Sequence, residues 1–240
     1  MKKYFSVVFL FLIFAASILT TDRSVKVMKS VLFSEHNDDE KQITIVIDPG
    51  HGGRDPGKVG INSALEKDVN LSVATKLKNL LEQNDIKVIM TREEDVGLYS
   101  ESDSNKKNAD LKARVDMIHS NKADLAISIH QNSFTEEYVK GAQVFYYSES
   151  QQGKKLAEII QTQIVESMKD GNHRKAKSNN NYYMLTKTNC PLVIVECGYL
   201  SNIREAELLT NEDYQEKMAW GIHLGILQFI NKGGLESPLK

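Results

Sequence analysis

From residue 43 onward, short runs of β-branched and other apolar residues alternate with longer segments whose apolar positions recur at helical spacing, and few folds accept that order. "ITIVID" (43–48), "IKVIMTR" (86–92), "DLAISIH" (124–130), "GAQVFYY" (141–147), "YYML" (182–185) and "PLVIVEC" (191–197) read as strands. Between them, residues 66–85 place Val69, Val73, Leu77, Leu80 and Leu81 at helical spacing. "ADLKARVDMIHSN" (109–121) reads as a helix, as do 152–169, with Leu156, Ile160, Ile164 and Met168 four apart, and 211–231. This order predicts a single α/β domain over 43–231, with a mostly parallel sheet of about six strands flanked by helices on both faces. Residues 232–240 read as a short tail, with no separate C-terminal binding module expected.

Composition narrows the partners. Thirty Lys and Arg stand against 32 Asp and Glu, a net charge of −2, so no basic field points to nucleic acid. The 41% apolar and 26% charged content is that of an ordinary globular chain.

The N-terminus carries a different signal. "MKKYFSVVFLFLIFAASILT" (1–20) places two lysines before an apolar run, the pattern of an export signal or N-terminal membrane anchor. The 16 positions Tyr4 to Leu19 span roughly 24 Å as a helix, short of the ~30 Å hydrocarbon core. "AAS" at 15–17 offers a cleavage site, so removal and retention both stay open. Lys2 and Lys3 put the start in the cytoplasm and the rest outside. No cysteine precedes residue 41, which excludes a lipid-anchored N-terminus, and 21–42 reads as a polar linker holding a solvated His36.

Cys190 and Cys197 are the only cysteines. Seven extended steps span about 23 Å, whereas a disulfide needs Cα atoms within roughly 7 Å, so a strand between them forbids their pairing. An exported chain without disulfides points to a Gram-positive-like envelope.

In a sheet of this kind ligands bind beyond the carboxyl ends of the strands. His51 follows the first strand by three residues, His130 ends "LAISIH", Glu196 ends "LVIVE", and Glu66 opens the helix after the His51 loop. Two histidines and two carboxylates therefore meet on one rim. Two imidazoles and one carboxylate with an open fourth position make a catalytic zinc site, and the second carboxylate is then free to move protons. The residues alone do not say which of Glu66 and Glu196 is which. His119, His173 and His223 lack a strand-end setting and read as surface or packing residues. Cys197 alternates to the face opposite Glu196 and reads as core.

"IDPGHGGRDPG", "LEKDVNL", "MTRE", "ISIHQNS" and "PLVIVECGYLSN" together resemble the zinc-dependent N-acetylmuramoyl-L-alanine amidases of the amidase-3 type, over about residues 43–230. The resemblance implies one zinc per chain, bound by His51, Glu66 and His130, with Glu196 catalytic. The reaction it implies cuts the amide between the lactyl group of muramic acid and L-alanine in peptidoglycan. Arg92, Arg114 and Arg174 match family arginines, for which structural ion pairing is the favoured role over substrate contact. "KKNADLKARV" and "HRKAKSNNNYYML" are similar to the germination-type cortex amidases of spore formers. That finer likeness implies an extracytoplasmic enzyme of the spore envelope, acting in cortex modification, where peptide-free muramic acid is later cyclised to a lactam by a separate deacetylase. It also implies a spore-envelope lipoprotein as activator in some spore formers. Only Gln131 to Lys140 separates His130 from Gly141, too short for the inhibitory helix that division amidases insert there.

Two rival readings remain from the residues. One is a zinc peptidase cutting within the stem peptide, although zinc carboxypeptidases usually space their first His and Glu three apart and His51 and Glu66 are fifteen apart. The other is a non-catalytic wall-binding protein, which the presence of Glu196 disfavours.

Overall fold

The computed structural model describes residues 42–235, and the export-signal and most of the linker readings fall outside them. The alternation expected from the sequence is there. β1 (Thr44–Pro49) leads through a long loop to α1 (Glu66–Glu82), then β2 (Lys87–Met90), α2 (Lys106–Ser120), β3 (Leu125–Asn132) and β4 (Gln143–Tyr146). α3 (Gln151–Met168), β5 (Lys177–Ser178), α4 (Tyr183–Lys187), β6 (Leu192–Tyr199), α5 (Ile203–Leu209) and α6 (Glu212–Asn231) complete it. Among the described residues no helix is long and apolar enough to cross a membrane.

The six strands lie in the order β2-β1-β3-β6-β4-β5. The sheet is mixed, which corrects the expectation of a mostly parallel one: β4 pairs antiparallel to β6, so β4 and β5 run against the other four strands. The cause lies in the connection before β4. Residues 133–142 contain no helix, and a parallel crossover needs a dozen or more residues, so the chain turns back from the top of β3 and descends.

A second correction concerns "YYML", which is not a strand but the start of α4. The Asn179 side chain accepts hydrogen bonds from the Asn181 and Tyr182 N–H groups, turning the chain into that helix. Met184 and Leu185 are then buried by one helical turn rather than by alternation. The sixth strand is β5 instead, two exposed residues without an apolar signature.

Alternation divides the strands cleanly. Ile45, Ile47, Ile127, Ile129, Val193, Val195 and Cys197 face one side, packed with α1, α3 and α6 through residues such as Leu77, Leu81, Ile160 and Ile222. Val46, Ala126, Leu192 and Ile194 face the other, against Val115 and Ile118 of α2 and Met184 and Leu185 of α4. Cys197 is fully buried in the larger cluster and both cysteines are free thiols, as the sequence indicates.

Candidate metal centre

The second face continues past its apolar cluster into polar residues at the carboxyl ends of the strands. Asp48, Ser128, His130 and Glu196 all belong to it by alternation. Parallel pairing sets Asp48 beside Ser128 and His130 beside Glu196. The strand register therefore brings together two residues 66 positions apart in sequence.

After β1 the chain turns sharply. His51 has a left-handed backbone (φ 63°), which presents its side chain above the sheet. Gly50 must lack a side chain, because a Cβ there would lie 2.2 Å from Cε1 of His130. Two buried arginines fix the strained turn by its carbonyls. Arg92 donates from Nε to the Pro49 carbonyl and from Nη2 to those of Gly50 and Lys67, at 3.0, 3.0 and 2.8 Å. Arg114 donates to the carbonyls of Pro49 and His51 at 2.9 and 2.7 Å.

Arg114 also pairs with Asp48, at 2.7 Å, with side chains only 2% and 1% exposed. Thr91 and Ser128 hydroxyls donate to the same carboxylate at 2.7 and 2.6 Å. Burial pushes the Asp48 carboxyl up, but the Arg114 charge and the two hydroxyls outweigh it and hold it at about 2. Of the three arginines expected to form structural ion pairs, Arg114 does so. Arg92 and Arg174 bind backbone carbonyls instead, and Arg174 also reaches Gln143 and lies over the Tyr199 ring.

Glu66 sits at the first position of α1, where its carboxylate suits the positive end of the helix. Its Oε1 lies 3.2 Å from Nε2 of His51 and 3.0 Å from Nδ1 of His130, and also accepts the Gln131 N–H. The other oxygen, Oε2, accepts the Lys58 N–H at 2.7 Å. Gly57 makes room for this, since a Cβ there would fall 2.6 Å from Oε2. One donor atom from each of His51, Glu66 and His130 lies within 4.8 Å of the others, close enough to hold a metal ion. His51 Nδ1 is held by Asp55 Oδ2 at 2.8 Å, which orients the ring and leaves Nε2 facing the centre.

Burial opposes charge on His51, yet its contacts with Glu66 and Asp55 raise it to about 8; Glu66 is buried too, and the two histidines hold it well below the carboxylate range. Asp55 is likewise lowered against its burial, by His51, the Gly57 N–H and the charge of Lys107.

Glu196 differs from Glu66 in its surroundings. It is 7% exposed, and its Oε2 is buried without a hydrogen-bond partner. Burial raises its pKa to about 7, the Glu66 charge adding to the rise and His130 and His51 opposing it. A carboxyl with its pKa there is able to take up and release a proton near neutral pH. Glu196, the three clustered residues and Tyr182 line a cleft of ≈ 660 Å³.

Sequence reasoning missed Asp48 and Asp55. Asp48 ends an apolar run and Asp55 follows His51 by four in a tight turn, and both placements are visible signals. His119, His173 and His223 stay away from the cluster; His223 is buried in α6 beside Trp220.

Residues 45–228 match the model of the amidase-3 family, described as N-acetylmuramoyl-L-alanine amidase. The chain is 40% identical over 193 residues to the germination-specific N-acetylmuramoyl-L-alanine amidase of Bacillus subtilis, covering 79% of this chain and 81% of that protein. Among solved structures it is similar to the CwlD amidase from Clostridioides difficile in complex with the GerS lipoprotein, with TM-score 0.77 and 40% identity over 80% of this chain and 100% of that one. The catalytic domain of CwlV, an N-acetylmuramoyl-L-alanine amidase from Bacillus (Paenibacillus) polymyxa, matches with TM-score 0.70 and 31% identity, over 79% of this chain and 99% of that one.

Proposed function

Because the chain belongs to the amidase-3 family of N-acetylmuramoyl-L-alanine amidases, we propose that it hydrolyses peptidoglycan with His51, Glu66 and His130 as zinc ligands and Glu196 as the proton-transfer group. Two imidazoles and a carboxylate gathered at the wall of a cleft are a donor set that suits a catalytic zinc. Bound by His51, Glu66 and His130, zinc would supply Lewis acidity towards the scissile carbonyl and lower the pKa of water at the site.

The protein's own residues supply the rest. Asp55 orients His51, while Arg92 and Arg114 keep its loop in place through the backbone. Glu196 takes the proton of the attacking water as the C–O bond forms. It returns that proton to the amide nitrogen as the C–N bond breaks, leaving a lactyl carboxylate and a free L-alanine amine. The observation that carries this reading is the unpartnered buried oxygen of Glu196 beside His130 at the rim of a three-donor cluster.

The setting we assign is the spore envelope, with the enzyme exported and held by residues 1–20 or released from them, and its action directed at cortex peptidoglycan. Similarity to the germination-specific amidase supports the cortex assignment. The GerS complex of its structural relative supports a lipoprotein activator for this chain too. Product analysis on purified cell wall tests the activity: intact stem peptides with new L-alanine amines are expected, whereas shortened peptides indicate a peptidase and no release a binding protein.

A further inference from the structure

Next to the metal cleft lies a second cavity of ≈ 370 Å³, between the turn carrying His51 and the start of α2. The two spaces share His51, Asp55, Lys107, Leu111, His130 and Met184, so they adjoin as two parts of one groove with His51 and His130 on the wall between them.

The charges along the second cavity are mostly accounted for. Asp48 and Asp110 are engaged by Arg114, and Asp55 by His51. Arg54 and Lys106 both pair with Glu101. Lys107 is the exception: among the described residues it forms no ion pair, it is exposed, and it lines both parts of the groove. Its position in the first turn of α2 is electrostatically unfavourable for the helix, since like charges meet at the positive end. Its charge is felt by Asp55, whose carboxylate His51 already holds, so the exposed ammonium is left solvated and able to pair with an anionic group that enters the groove.

The two halves of the substrate differ in this respect. At the scissile amide the muramoyl side is a neutral lactyl acyl group on an N-acetylated sugar. On the other side, beyond L-alanine, the stem peptide carries free carboxylates, the first of them on its second residue. We propose that Lys107 binds a stem-peptide carboxylate, so that the cavity beside α2 is the peptide subsite and the enzyme prefers stems whose second residue keeps its carboxylate free. This inference rests on the amidase reading above.

The test uses two muramoyl tripeptides that differ only in whether the α-carboxyl of the second residue is free or amidated. Wild-type enzyme is expected to favour the free acid in kcat/KM by roughly 1.5-fold to fivefold, the range for an exposed ion pair. Lys107→Met, which keeps the apolar stem and removes the charge, is expected to bring that ratio towards one, and Lys107→Arg to preserve it. The preference of the wild type should also fall as salt is raised. A preference that survives in Lys107→Met, equal losses on both substrates, or no preference in the wild type overturns the assignment of Lys107. Absence of hydrolysis of either tripeptide by zinc-loaded wild-type enzyme counts instead against the amidase reading itself.

Discussion

Replacing Arg114 by Met removes the cation paired directly with a carboxylate buried in the sheet. Asp48 and Arg114 are 1% and 2% exposed, so neither can turn to water when its partner is lost. Breaking a buried pair from one side costs about 3–5 kcal/mol, against a total stability of ~5–15 kcal/mol for a domain. The carbonyls of Pro49 and His51 lose a donor as well. Urea denaturation at pH 7 should therefore show a large fall in midpoint at unchanged slope. The pair also predicts the sign of a pH effect. In the wild type Asp48 is held at about 2, below its ordinary value of 3.8, so its stabilisation is complete above pH ~4 and lost as pH falls through 2. In Arg114→Met, burial is no longer opposed by that charge and Asp48 takes up a proton more readily, so the deficit relative to wild type should shrink at pH 4. Adding Asp48→Asn should recover part of the loss at pH 7, because the uncompensated charge is then gone. A loss below about 1 kcal/mol, or a double variant as unstable as the sum of the two single ones, would refute the reasoning.

Two further outcomes follow from the same geometry. Gly50→Ala pushes a methyl group into the ring of His130 and should weaken zinc affinity by about 10–100-fold while the far-ultraviolet spectrum stays native, with full zinc retention at wild-type affinity speaking against it. Zinc competes with a proton on His51, which is raised to about 8, so affinity measured against a chelator should be full above that pH and fall by about tenfold per unit below it. A flat profile between pH ~5 and ~8 would show that His51 is not a ligand.

Much of this site was legible because its residues interrupt strong patterns. His130 and Glu196 each end an apolar run, where an unpaired polar side chain is costly, and it is their placement with His51 and Glu66 on one rim that marks them in the sequence. Glu66 is visible as the acid opening an amphipathic helix. What alternation does not encode is register, and it is register that sets His130 beside Glu196. The direction of β4 was hidden for a related reason: it depends on the lack of a helix in 133–142, not on the composition of the strand. "YYML" is too short for periodicity to choose between helix and strand, and the Asn179 side chain decides it. α5 went unread although Asn202, whose side chain accepts the Glu205 N–H, is an ordinary capping signal. Asp48, Thr91, Arg114 and Ser128 come from four separate parts of the chain, so their network exists only once the sheet has formed.

The division of labour between the two carboxylates is the centre of the account, and zinc content measured together with turnover on Glu196→Gln and Glu66→Gln tests it most directly. Glu196→Gln keeps the shape of the side chain and removes its basicity. It should bind zinc as the wild type does while the chemical step slows by roughly 10²–10⁴-fold. Glu66→Gln replaces an anionic donor placed between two imidazoles with a neutral amide, so zinc and activity should be lost together. Loss of zinc in Glu196→Gln with retention in Glu66→Gln would exchange the two roles and contradict the mechanism.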